Sequence, residues 1–259
     1  MTSDAKDRPA NSKVEPPPDE TRMILDFIHR LAMHHAMWYG EVQHQLGPEK
    51  AREILKTVYE KTMDLQLQKI AKTLGFAVQD GLPEPLVSLP PDRLKKLKET
   101  IAVNWLANDG IWFQAVEFSR GMGDAKRCND SCWAQFSPFE AWSIRRLLNL
   151  PERPGLPGLE RALAHRLYAT INQQSVEMES RHAMVFRMND CRVQAARKRK
   201  GLDDYPCKSA GIVEYTTFAE SIDPRIRTEC IACPPDDHPE TWYCAWRFSL
   251  EEEVSQPLD

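Results

Sequence analysis

The chain has 259 residues, with 34 Lys and Arg against 38 Asp and Glu, a formal net charge of −4 and a pI of about 6.0. That length buries a real core without disulfides, and the acidic balance gives no global basic field to recruit nucleic acid or an anionic membrane. A hydrophobic share of 42% beside 28% charged residues describes an ordinary globule of one large domain or two closely joined layers.

Residues 1–20, MTSDAKDRPANSKVEPPPDE, hold four prolines and many charges and read as a disordered tail. They lack the apolar stretch of a signal-peptide core or a membrane span, so the expected compartment is the cytoplasm, where thiols stay reduced. Residues 21–179 have a helical period. Ile24, Phe27, Ile28, Leu31, His35, Trp38 and Val42 recur at spacings of three and four and mark one buried stripe, which Gly47-Pro48 ends. A second helix is expected over Glu49–Leu74 with Gly75 as its cap, followed by the proline-punctuated connector Gly81–Asp92. A third runs from Arg93 to Gly121 with Trp105, Trp112 and Phe113 as core, and Gly110 marks a kink. After a short segment holding Cys128 and Cys132, Ser137-Pro138 starts a helix to Asn149, and another spans Leu159–Val176.

From residue 180 to 250 the period falls to two. AMVFRMN, Gly211–Tyr215, Ile226–Ile231 and WYCAWRFSL read as strands, the last with Trp242, Cys244, Trp246 and Phe248 on one face. NDCRVQAARKRKG, stopped by Gly201, reads as a short helix between the first two. The expected architecture is α+β: an N-terminal helical layer followed by a small antiparallel β-sheet with an inserted helix, and a tail over 251–259.

Five of the seven cysteines lie in the last 70 residues, in the pattern Cys191-x15-Cys207-x22-Cys230-x2-Cys233-x10-Cys244. Thiols concentrated in a reducing compartment do chemistry, bind metal, or simply pack as small apolar residues. Cys191 sits in the first turn of the short helix, where free N–H groups stabilise a thiolate, with Arg187 and Arg192 adding to the effect. A tetrahedral site for zinc or an iron–sulfur cluster would take Cys230 and Cys233 with two of the other three. If Ile231 and Ala232 continue a strand, however, Cys230 and Cys233 face opposite sides. A second constellation, His34, Met37, Glu41 and His44, lines one side of the first helix. Glu41-x-x-His44 has the spacing of helical di-iron carboxylate sites, with Glu117 as a third contributor and Glu179-x-x-His182 repeating the motif. A solvated face is the plainer reading of it. The run Arg197–Lys200 is what a helix C-terminus favours, and Asn104, Asn108 and Asp109 either line a polar pocket or are satisfied interior polars.

The stretch from Met184 to Leu250 resembles the cysteine-bearing region of the L-2-amino-thiazoline-4-carboxylic acid hydrolase-like family. Cys191 opening a helix, Cys207 sixteen residues later, Asp223-Pro224 and Cys244-Ala-Trp246 carry the resemblance. From Met23 onward the chain is similar to an uncharacterised bacterial cytosolic branch, through HHAMWYGEVQHQLG, NDGIWFQAVE, AKRCNDSCW and SPFEAWSIRRLL. The resemblance implies hydrolysis of a cyclic C–N/C–S compound. It departs from the family at Cys230-Ile-Ala-Cys233, and the family's acidic residue after the second cysteine stands here only as Glu214. In this reading Cys191 is the nucleophile, Cys207 and Cys244 lie beside it, and Glu214 or His182 serves as base. The alternative is a non-catalytic metal-binding or sensor protein using Cys191, Cys207, Cys230, Cys233 and Cys244. A third reading is a carboxylate metalloenzyme using Glu41, His44 and Glu117. The expected partner is a small-molecule substrate, not nucleic acid or membrane, and the pattern leaves the oligomeric state open.

Overall fold

A computed structural model of the protein describes residues 19–199, 201 and 204–250. The tails expected at the two ends fall outside them, apart from Asp19 and Glu20, and so does Lys200. The chain divides into two units, residues 1–70 and 71–259.

The first unit holds α1 (Glu20–Leu46) and most of α2 (Pro48–Leu74). Asp19 caps α1 by accepting from the Thr21 N–H at 3.1 Å, and Gly47 ends it at φ +83°, a conformation that costs glycine little. The helix is where the sequence placed it, but its apolar stripe is not buried: α1 contains no buried residue.

The second unit begins in the last turn of α2. Asp80 and Gly81, both at positive φ, join the two-residue strands β1 (Val78–Gln79) and β2 (Leu82–Pro83), so the expected connector starts within the turn of a tight hairpin. The one-turn helix α3 (Glu84–Val87) leads to α4 (Pro91–Arg120), which passes through Gly110 as continuous helix and stops at Gly121. The next helix, α5 (Met122–Leu148), is a single element from before Cys128 to the Asn149 cap. Pro138 lies inside it rather than starting a new helix. A mid-helix proline costs about 3 kcal/mol, and here burial of Trp133, Ala141 and Ile144 on the same helix opposes that cost.

Two short helices, α6 (Gly155–Leu163) and α7 (Leu167–Ile171), replace the helix expected over Leu159–Val176. Its last turns are instead β3 (Gln173–Ser180), followed by β4 (Ala183–Asp190). Then come α8 (Arg192–Arg199), α9 (Lys208–Ile222), β5 (Ile226–Ala232) and β6 (Cys244–Leu250). The segment Gly211–Tyr215, expected as a strand, is the middle of α9. Ala210, Gly211, Glu214, Tyr215, Phe218, Ala219 and Ile222 are its buried residues, recurring three and four apart as one helical face.

The last four strands form one antiparallel sheet in the order β3-β4-β6-β5, which confirms the α+β class with a helical N-terminal part. One sheet face is the core. Met184 pairs with Phe248, Phe186 with Trp246 and Met188 with Cys244, and the core also contains Tyr215, Phe218 and Ile222 from α9. The other face carries ions: Arg247 binds Glu179 at 2.9 Å and Glu229 at 3.2 Å, and Arg187 binds Glu177 at 2.7 Å.

Two contacts fix α9. Asp223, fully buried, accepts from the Gly155 N–H at 2.9 Å and from the Arg225 guanidinium at 2.8 and 3.0 Å, tying the end of α9 to the start of α6. Near its start, Gly211 lies against Trp246, where an added Cβ would stand 2.7 Å from the indole ring and 3.6 Å from Cys233 Sγ. Gly211→Ala is expected to push helix and sheet apart and cost about 1–3 kcal/mol, read as a lower denaturation midpoint with unchanged denaturant dependence. An unshifted midpoint would mean that the contact between Gly211 and Trp246 is loosely packed.

Candidate functional site

In the second unit a cavity of about 390 Å³ opens between α4, α5, α8, α9 and the ends of β4 and β6. Its apolar walls include Leu106, Phe113, Trp133, Tyr168, Met188 and Tyr215. Four of the five clustered cysteines line it: Cys191, Cys207, Cys233 and Cys244. They arrive from four chain segments. Cys191 follows β4 and leads into α8, Cys207 leads into α9, Cys233 follows β5, and Cys244 opens β6.

Cys191 and Cys207 both sit where a helix begins. The carbonyls of Cys191 and Cys207 accept from the N–H groups of Ala195 and Gly211, each at 2.8 Å. Backbone N–H groups of Val193 and Gln194 reach the Cys191 thiol and favour the thiolate, as the sequence pattern suggested. Burial outweighs them. The thiol is pushed up to about 12, first by desolvation and then by the neighbouring Cys207 and Cys244, so Cys191 is a protonated thiol at neutral pH. Arg187 does not offset this, because it lies on the opposite sheet face with Glu177. Arg192 lines the cavity together with Arg197 and Arg199.

The thiols also touch one another. Cys233 is hydrogen-bonded to both Cys207 and Cys244, and these contacts, with burial, drive its pKa far upward. Gln194, itself buried, holds the group in register. Its Nε2 donates to Tyr205 O at 2.9 Å and to Cys207 Sγ at 3.0 Å, and its Oε1 accepts from the Tyr205 N–H at 2.8 Å. Cys207 in turn donates to Tyr205 O at 3.2 Å. Cys230 does not line the cavity. It pairs opposite Trp246, farther into the sheet, and packs on the same core as Cys233: the register shift between Cys230 and Ala232 leaves Ile231 as an extra residue, so the two cysteines do not face opposite sides as strict alternation implied. Cys128 and Cys132 are exposed on α5.

Glu214 lines the cavity with two other acidic residues, Asp109 and Glu117, and is delivered by the buried face of α9. Desolvation raises its pKa to about 7, with Arg166 pulling the other way and Glu140 and Asp109 adding to the rise. Arg166, 2% exposed, sits in the turn between α6 and α7. Its Nε donates to Glu140 Oε2 at 2.9 Å, and its Nη1 lies 2.7 Å from Glu214 Oε1 as an ion pair off the line of a good hydrogen bond. The rings of Phe218, Tyr215, Tyr168 and Trp133 surround the guanidinium at 4.6, 5.5, 5.7 and 6.0 Å. Tyr168, whose pKa burial raises strongly, feels the charges of Glu214, Asp109 and Cys191, so its phenol lies within electrostatic range of all three. Burial also raises Asp109.

The other sequence candidates fall elsewhere. His182 is in the β3–β4 turn, its carbonyl accepting from the Leu250 N–H at 2.9 Å, at the opposite end of β4 from Cys191. Eight strand residues separate them, roughly 26 Å, so His182 is not the base of this cavity. Glu179 is on a strand, bound to Arg247, and the repeated E-x-x-H is not helical. Glu41 and His44 are on α1 in the first unit, Glu41 accepting from Gln45 at 2.7 Å, whereas Glu117 lines the cavity of the second. Among the described residues, no group of three or more His, Cys, Asp or Glu stands placed to hold a metal ion, and no helix is long and apolar enough to cross a membrane.

A model of the family of unknown function DUF6125 matches residues 86–250. The chain belongs to that family. Every cavity-lining residue falls inside the DUF6125 segment, and α1 falls outside it. No curated protein and no solved structure matches the chain.

Arg166 and Glu140 were missed in the sequence. Glu140 had a signal, standing three residues after Ser137 and four before Ile144 on the buried face of α5. A charge on such a stripe is buried with a partner. Arg166 had none, since it sits in a turn. The ion triad gives two expected outcomes. Arg166→Met strands two buried carboxylates and costs about 3–5 kcal/mol in chemical denaturation. For Glu214, the folded-state pKa of about 7 exceeds the ordinary value of 4.5, so the folded protein holds this proton more tightly. Stability relative to Glu214→Gln is therefore highest below pH 4.5 and falls as pH rises to 7, by on the order of 3 kcal/mol. Parallel stability curves for the two proteins would refute the assignment.

Proposed function

We propose that the chain is a cytosolic hydrolase-like enzyme that opens a small sulfur- or nitrogen-containing ring in this cavity. Cys191 is the nucleophile and Glu214 takes its proton. The observation that carries the reading is a buried carboxyl of pKa about 7 facing the same cavity as the cysteine cluster. The resemblance of the segment around Cys191 and Cys207 supplies the reaction class.

The two pKa values fix the order of events. Cys191 near 12 and Glu214 near 7 differ by about five units, so moving the proton before attack would cost roughly 7 kcal/mol. The proton therefore leaves as the bond forms. Cys191 Sγ adds to the electrophilic ring carbon while Glu214 accepts the thiol proton. The ring C–S or C–N bond then breaks, and its departing sulfur or nitrogen takes that proton from Glu214. Water cleaves the Cys191 adduct, giving its proton back through Glu214 and releasing the opened product. Glu140 keeps Arg166 neutralised while Glu214 is protonated, so the buried cation is never left alone.

The test uses L-2-amino-thiazoline-4-carboxylic acid as probe and follows the release of a new thiol. Cys191→Ser is expected to abolish turnover. Glu214→Gln should slow it by about 10²–10⁴ and remove a limb that rises near pH 7. Full activity in Cys191→Ser would end this reading.

One observation favours a second reading. The Cys233 thiol touches those of Cys207 and Cys244, and a soft cation can replace protons shared among crowded sulfurs. The chain would then be a non-catalytic zinc, iron–sulfur or sensor protein, after the side chains turn toward a common point. Metal analysis of anaerobically purified protein decides: about one zinc per chain, lost in Cys233→Ser, favours this reading, and metal-free protein removes it.

A further inference from the structure

The apolar stripe of α1 is built for burial and is exposed among the described residues. Ile24, Phe27, Ile28, Leu31, Trp38 and Leu46 are each 52–61% exposed. At 100° per residue these six fall within one arc about 100° wide and form one strip, with Leu25, Met33 and Met37, also exposed, lying off it. No residue of α1 is buried, and a helix in water draws most of its stability from packing such a face.

We infer that this strip is a self-association surface and that a second copy of the chain covers it. Two features choose that occupant. The first is area. Six half-exposed side chains of this size offer on the order of 100 Å² each, roughly 600 Å² together, which is most of the ~800 Å² each partner contributes to a stable pair. The second is symmetry. Ile24, Leu31 and Trp38 are seven residues apart, so two copies of α1 laid antiparallel about a two-fold axis at Leu31 set Ile24 against Trp38 twice and Leu31 against itself. Such a strip is complementary to its own copy.

A lipid surface is the competing occupant and fits less well. An interfacial helix carries Lys and Arg on its polar face, whereas α1 has Glu20, Asp26 and Glu41 against Arg22 and Arg30, with Asp26 and Arg30 paired to each other.

Sedimentation velocity of the full chain at tens of micromolar is expected to give twice the 29.8 kDa chain mass. Leu31→Glu should return it to a single chain, and Trp38→Ala should weaken the pair at least tenfold. Met33→Glu, on the opposite side of α1, should leave the pair intact. Far-UV circular dichroism checks that each variant is folded, and if Leu31→Glu is not, Trp38→Ala decides. A wild-type mass of one chain overturns the inference, as does a pair unchanged in folded Leu31→Glu or Trp38→Ala. Flotation with phosphatidylglycerol vesicles that is lost in Leu31→Glu would assign the strip to a membrane instead. None of these outcomes depends on activity in the cavity.

Discussion

The Arg166 guanidinium, buried between Glu140 and Glu214, is the interaction on which the architecture of the second unit turns. It joins α5, the α6–α7 turn and α9 through charge, and four aromatic rings keep water from it. Burying an ion is costly, and the cost is met only if partners stay in place. Glu140 is the fixed partner, since its second oxygen also accepts from the Leu167 N–H at 3.0 Å. Glu214 is the less firmly held one, and it is the one that faces the cavity. The same arrangement that stabilises the helix packing thus leaves a carboxyl with a shifted pKa at the site.

The cavity shows how two effects on one thiol are weighed. The amides in the first turn of α8 favour a charged Cys191, as its position in the sequence implied, but removal from water and two sulfur neighbours oppose them and win. Both of the winning effects depend on which segments are brought together, and no local motif encodes that. A cysteine at a helix start gains its thiolate only where burial does not outweigh the amides.

Where the period was clean, the sequence was readable. AMVFRMN became β4 almost residue for residue, and Trp246 and Phe248 share a buried face with Cys244 as alternation required. The stop at Gly121 and the helix after Cys191 also followed from local rules. Where two periods compete, local rules failed. GIVEYTTFAESI is rich in β-branched and aromatic residues, yet Gly211, Tyr215, Phe218 and Ile222 repeat at helical spacing and packing against Trp246 favours the helix. The convergence of Cys207, Cys233 and Cys244 was anticipated from crowding along the chain, but the bulge at Ile231 that keeps Cys230 on the core side with Cys233, outside the cavity, is announced by no residue type.

Gln194 has a consequence beyond holding two segments together. Its amide gives a hydrogen to Cys207 sulfur while that sulfur gives its own to the Tyr205 carbonyl. Both hydrogens of the amide are committed, one to each partner, and its oxygen takes the Tyr205 N–H, so a single side chain holds the segment from Tyr205 to Cys207 at three points. Anything that displaces the Tyr205 backbone therefore moves the Cys207 sulfur with it, so one wall of the cavity and its thiol respond as a single body.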